Sequence, residues 1–252
     1  MNVLITAGGT QEAIDSVRSI KNYSTGRLGS IIADKFAKKN ATITYVCDDS
    51  AVLPSLKNVE IVHVRSVQNL LQTIDKLLIR HEYDCVIHSM AVSDFTPQAI
   101  LTLDDIVTNL ASLIGRQDIA SDELSNIIRT ALLASGKPIG GGKISSATSE
   151  LIVLLSQTPK IINRIKAKQP EAVLIGFKLL SGVPEEKLLL AAKKLLEQSS
   201  CDFVLANDLQ NIVGDLHKAV LVDKNGNLKR ANTKQEIAEV IYTAISERTI
   251  KF

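Results

Sequence analysis

Short apolar runs alternate with amphipathic stretches along most of the chain. NVLITA (2–7) is apolar and stops at Gly8-Gly9, and from Gly26 to about Lys39 the apolar residues Leu28, Ile31, Ile32, Phe36 and Ala37 recur at helical spacing. TITYVC (42–47) is rich in β-branched residues and reads as a strand, and EIVHV (60–64) follows a loop containing Pro54. Leu70, Leu71, Ile74, Leu77 and Leu78 predict a helix from about Val67 to Arg80, and DCVIH (84–88) the next strand. This alternation predicts an α/β fold with a doubly wound, mostly parallel sheet.

The rhythm breaks between about Ile100 and Gly142. Two helix-like stretches, around Asp104–Leu113 and Asp122–Ala134, run out into SGKPIGGGKISS. Clustered glycines leave that backbone little local preference, so the segment is expected to be an inserted helical flap within a single domain spanning 1–252. Alternation then resumes with a helix after Thr158-Pro159, strand AVLIGF (172–177), helix 185–199 and strand DFVLA (202–206). AVLVD (219–223), an Asn-Gly turn and LKR predict a hairpin, and a last amphipathic helix covers roughly 233–247.

Composition narrows the function classes. A formal net charge of +2, no Trp and few aromatics argue against a nucleic-acid partner or a base-stacking platform. No apolar run is long enough to span a bilayer, so no membrane partner is expected. Cys47, Cys85 and Cys201 are scattered, odd in number and embedded in apolar runs, which reads as core packing in a reducing, cytoplasmic compartment. His63, His81, His88 and His217 lack metal-ligand spacing, so no dedicated metal ligands are expected.

The stretch RSIKNYSTGRLGS (18–30) carries the candidate chemistry. Gly26 and Gly29 sit at a helix start, as in a dinucleotide fingerprint, and Asp48-Asp49 follow the next strand at a suitable distance for a ribose. Yet the first strand ends near Ala7, leaving a loop from Gly8 to Ser24 where a nicotinamide fold makes a tight turn. A phosphate site on a longer loop fits better. The plain alternative is a helix capped by Ser24 or Thr25 with a packing glycine. No tyrosine has a lysine four residues later, and SGKPIGGGKIS fails as a Walker loop, leaving a glycine hinge that presents Lys143. Other polar outliers fall at the carboxyl ends of strands: His88 to Phe95, Gly176-Phe177-Lys178 and Ala206-Asn207-Asp208. In an open α/β sheet those ends line the ligand crevice, although singly Asp94 would be a capping residue and Phe177 core.

Taken together, TAGGTQEAIDSVRSIKNYSTGRLG, AVSDF, GGKIS, LLSQTPKII, GFKL and VLAND resemble the phosphopantothenate–cysteine ligase (phosphopantothenoylcysteine synthetase) family, in that family's order. The resemblance implies a modified Rossmann-like fold, a homodimer, and the separate, single-activity bacterial form acting in coenzyme A biosynthesis. The reaction it implies joins 4′-phosphopantothenate to L-cysteine through an acyl-nucleotide, using CTP in preference to ATP, with Mg²⁺ carried on the nucleotide phosphates and no flavin.

By that resemblance Asn22, Lys143 and Arg18 are the expected catalytic residues, Arg18 near Asn22 to orient it or contact phosphate. Gly8, Ser24, Gly26, Gly29, Asp94, Phe177, Lys178 and Asn207 are expected at the nucleotide, and Lys194 matches a family triphosphate lysine approximately. Asn22, Met90, Ala91 and Asp94 are expected at the acyl substrate. Met90 departs from the Ala-Ala pair common in the family, and KISS is less basic than some bacterial flaps. Two other classes stay open: an NAD(P)-dependent reductase and a non-catalytic nucleotide-binding module.

Overall fold

The computed structural model describes residues 1–56, 58–114, 121–134, 136, 142–144 and 150–249. The elements begin with β1 (Asn2–Ala7), β2 (Gln11–Ala13), β3 (Ser19–Lys21), α1 (Arg27–Ala37), β4 (Thr42–Cys47), β5 (Val59–His63) and α2 (Val67–Arg80). Next come β6 (Cys85–His88), β7 (Phe95–Thr102), α3 (Leu103–Ile114), α4 (Ser121–Ala134), β8 (Leu151–Gln157) and α5 (Ile162–Lys168). The chain closes with β9 (Val173–Leu180), α6 (Glu185–Ser199), β10 (Phe203–Val213), β11 (Leu216–Asp223), β12 (Leu228–Thr233) and α7 (Lys234–Thr249).

Two units divide these elements: Met1–Thr10, Asn22–Val92 and Lys160–Phe252 make the first, Gln11–Lys21 and Ser93–Pro159 the second. In the first, eight strands form one sheet in the order β5-β4-β1-β6-β9-β10-β11-β12. The run from β5 to β10 is parallel, and β11 and β12 return antiparallel. Parallel pairing requires crossovers, and the helices cover both faces. Val3 and Ile5 of β1 pack with Ile32 and Phe36 of α1 and Ile237 and Ile241 of α7, whereas Leu4 packs with α2, α5 and α6 through Leu70, Ile74, Ile165 and Leu196. The three cysteines are buried thiols of these cores.

In the second unit β7 and β8 pair antiparallel, from Phe95↔Gln157 to Thr102↔Leu151. Ala99, Leu101 and Ile106 form its small core with Leu110, Leu132 and Leu154. The ribbon was hidden in the sequence because Pro97 lacks an N–H and reads as a loop; a register shift between Pro97 and Ala99 accommodates it. The unit therefore begins at Ser93 and takes in residues 11–21, beyond the 100–142 segment expected from the sequence. Most of SGKPIGGGKISS lies outside the described residues; Gly136, Gly142, Lys143 and Ile144 lie within them. No described helix is long and apolar enough to cross a membrane.

Candidate nucleotide-binding cleft

The strand order reverses direction between β1 and β6, which opens a crevice at their carboxyl ends. There Ala91 N–H donates to the Gly8 carbonyl (2.8 Å) and Thr10 N–H to the Ala91 carbonyl (3.1 Å), stitching the two strand exits together. The chain returns at Asn22, whose N–H donates to the Thr10 carbonyl (3.3 Å). Gly9 lies beneath this closure: a Cβ there would sit 2.2 Å from the Asn22 carbonyl oxygen. Sequence reasoning missed that dependence, although the Gly-Gly pair was its signal.

Helix α1 starts at Gly26, in a left-handed conformation (φ 71°) with no side-chain cap. Gly26 itself offers no side chain, and of the two expected caps only Thr25 reaches the helix start, its Oγ1 accepting from Arg27 N–H at 3.4 Å. The N–H groups of Leu28 and Gly29 have no acceptor within the helix, and the positive end of the helix dipole lies with them. Buried Tyr45 braces this turn, its hydroxyl 3.0 Å from the Val52 carbonyl and 3.3 Å from that of Gly26.

Asp48 is not free to hold a ribose. Its Oδ2 accepts from Gly9 N–H (2.8 Å), its Oδ1 from Ser50 N–H (3.0 Å), and a Cβ on Gly8 would overlap it. Gly8 is thus a packing position between Asp48 and Gly26.

A cleft of about 300 Å³ lies against the start of α1, bordered by Ser24 to Gly29, Ser89 to Ala91, Phe177, Leu179, Asn207, His217 and Lys234. Most of the residues expected at the nucleotide and acyl groups thus gather within one unit. Met90 is 6% exposed and packs in the core under α2, so its bulk sits largely in the core. Strand alternation sends Phe177 and Leu179 to the cleft and Lys178 to the opposite face. Lys194 is exposed on α6, whose buried stripe is Leu188, Ala192, Leu196 and Ser199. Neither lysine is brought to the cleft. The expectation that β9 and β10 end near Phe177 and Ala206 is corrected too, since the strands run on to Leu180 and Val213.

Arg18, Asp94 and Lys143 belong to the second unit. Arg18 donates through Nε and Nη2 to Asp15 Oδ2 (2.9 and 2.7 Å) and through Nη2 to the Ile144 carbonyl (2.9 Å). Ile144 N–H donates back to Asp15 (3.1 Å), so the short segment presenting exposed Lys143 is tied to the Asp15–Arg18 turn. Burial alone would raise the Asp15 carboxyl pKa, but the N–H groups of Val17, Ile144 and Arg18 and the guanidinium outweigh it and hold it well below the usual range. Asp94 is exposed, and its carbonyl accepts from Thr158 N–H (3.0 Å).

Beside the crevice His88 Nδ1 lies 2.9 Å from Thr6 Oγ1, and burial pushes its pKa down from 6.5 to about 4. Between those values the unfolded chain binds a proton that the folded chain refuses, so stability falls as pH falls through the window. The loss is on the order of 3 kcal/mol. Urea unfolding at pH 7 and pH 4.5 measures it, and His88→Gln is expected to flatten the dependence by about one proton.

The chain matches the model of the DNA/pantothenate metabolism flavoprotein C-terminal domain over residues 1–104 and 127–249. It is 32% identical over 246 residues to the coenzyme A biosynthesis bifunctional protein CoaBC of Thermococcus kodakarensis, aligning 97% of this chain with 51% of that protein. It spans about half the length of the CoaBC relatives it matches. The crystal structure of the DNA/pantothenate metabolism flavoprotein from Streptococcus pneumoniae superposes with a TM-score of 0.80 at 35% identity, covering 98% of this chain and 99% of that one. A Cab2 variant in complex with phosphopantothenate-cysteine shares the fold at a TM-score of 0.69 and 18% identity, covering 99% and 86%. The matched residues include β1, the glycine turn into α1 and every strand that borders the cleft, and the chain belongs to the DNA/pantothenate metabolism flavoprotein C-terminal domain family.

Proposed function

We propose that this chain is a phosphopantothenate–cysteine ligase acting in coenzyme A biosynthesis. The observation that carries the proposal is the start of α1, with the Leu28 and Gly29 N–H groups left over, opening onto a cleft that also takes Phe177 and Asn207, in a chain of this family. The 32% identity to a coenzyme A biosynthesis protein supports it.

The chemistry follows from a poor electrophile. A carboxylate oxygen of 4′-phosphopantothenate attacks the α-phosphorus of a nucleoside triphosphate, releasing pyrophosphate and leaving an acyl-nucleotide. The cysteine amine then attacks the acyl carbon, loses a proton and expels the nucleoside monophosphate. We assign the N–H groups of Ser24, Gly26, Leu28 and Gly29 to the phosphates, and Phe177 and Asn207 to the base and sugar. The Asn22 carboxamide donates to the developing oxyanion of the acyl intermediate, where a neutral donor stabilises charge without competing as a nucleophile. Lys143 and Arg18 are assigned to the catalytic step, Lys143 favouring acyl-nucleotide formation, and Met90, Ala91 and Asp94 to the acyl substrate.

CTP is the proposed nucleotide, the proposed assembly is a homodimer and the proposed location the cytoplasm. Among the described residues no three His, Cys, Asp or Glu side chains gather to hold a metal. Mg²⁺ is proposed to bind the nucleotide's phosphate oxygens, where it would screen their charge. The engagement of Asp48 with the Gly9 turn disfavours the reductase alternative. Incubation with phosphopantothenate, cysteine and CTP or ATP, followed by mass detection of phosphopantothenoylcysteine, tests the assignment. Product with CTP supports it; no product with either nucleotide contradicts it.

A further inference from the structure

Lys234, the first residue of α7, is 6% exposed yet borders the cleft. Its ammonium donates to the Gly214 carbonyl, and among the described residues no carboxylate forms an ion pair with it. Asp215, the acid whose charge acts on Lys234, is engaged by Arg27 at 2.9 Å, and Arg27 is the first residue of α1. Lys234 N–H donates to the Asp215 carbonyl (3.2 Å), so backbone contacts place the lysine beside the partner of the α1 start.

His217 completes this wall. Its Nε2 lies 2.9 Å from Asn207 Nδ2, and its buried Nδ1 has no hydrogen-bond partner. Register shifts in β10 between Asn207 and Ile212, and between β11 and β12 from Leu216 to Ala219, surround it. Such irregularities re-aim side chains and recur beside binding sites.

A buried cation without a counter-ion is costly. Burial lowers the Lys234 pKa, with Arg27 adding to the effect and Asp215 opposing it. Burial, then Lys234, lowers the His217 pKa to about 4 and keeps that imidazole neutral near pH 7. The wall therefore offers one buried positive charge next to a helix start whose N–H groups already favour an anion.

We propose that Lys234 is a nucleotide-binding residue of this site, its ammonium supplying the counter-charge to a phosphate held at the α1 N-terminus. This deepens the ligase reading and rests on it.

Equilibrium titration of the full chain with CTP and with cytidine, which lacks phosphates, tests the role in Lys234→Gln, Lys234→Met and Lys234→Arg. The neutral variants are expected to weaken CTP ~10- to 100-fold and leave cytidine within about twofold, while Lys234→Arg recovers most of the CTP affinity. Unchanged CTP binding in a folded neutral variant, or equal losses for CTP and cytidine, overturns the proposal. Neutral variants that fail to fold would make Lys234 part of the scaffold and overturn it as well. Wild-type protein that binds neither CTP nor ATP overturns the ligase reading itself, a result distinct from any variant-specific failure.

Discussion

Asn22→Asp is expected to accumulate acyl-nucleotide and to slow phosphopantothenoylcysteine formation ~10²- to 10³-fold. Aspartate keeps the shape of the side chain but removes its donor and sets a negative charge where an oxyanion must develop. Loss of one preorganised donor costs about 3 kcal/mol of transition-state stabilisation. The fold should tolerate the change, because the hydrogen bond that closes the loop uses the Asn22 backbone N–H and the Thr10 carbonyl. Rapid quench with mass detection reads the intermediate, and thermal unfolding reads stability. Wild-type turnover in this variant would remove Asn22 from the acyl-transfer step.

Gly9→Ala is expected to produce a comparable loss by a different route. The added methyl would lie 2.2 Å from the Asn22 carbonyl oxygen and 3.3 Å from its carbon, both backbone atoms without a rotamer to yield. The loop must move, taking Asn22 with it. A displacement of about 1 Å of a reacting group costs on the order of 10²-fold in rate, and forced repacking about 1–3 kcal/mol of stability. Steady-state turnover is expected to fall, while cytidine affinity, which we assign to Phe177 and Asn207 on other strands, is expected to change little. Turnover within about twofold of wild type would show that the Gly9–Asn22 approach does not govern catalysis.

The sheet was legible because its strands are short apolar runs bounded by polar helices, and periodicity reports that directly. The ends of β1 and β6 were legible because strand termini locate the crevice, whereas Phe177 and Asn207, read as strand ends, border the cleft from within β9 and β10. Direction was harder to read. Phe177 and Lys178 are adjacent in sequence but lie on opposite faces, which only the pleat decides. The β7–β8 ribbon escaped because Pro97 and the following register shift break its alternation. Lys234 and His217 carried no signal, since their burial depends on how β11 and α7 meet the bulged part of β10. Asp15 could have been found: the Asp-x-x-Arg spacing of Asp15 and Arg18 suits a turn in which the carboxylate collects local N–H groups.

The most direct test of the account omits cysteine. With phosphopantothenate and CTP alone, the protein is predicted to form phosphopantothenoyl-cytidylate and one equivalent of pyrophosphate per site, and to consume the intermediate when cysteine is added. Pyrophosphate released without phosphopantothenate, or product formed with no acyl-nucleotide at any time, would contradict it.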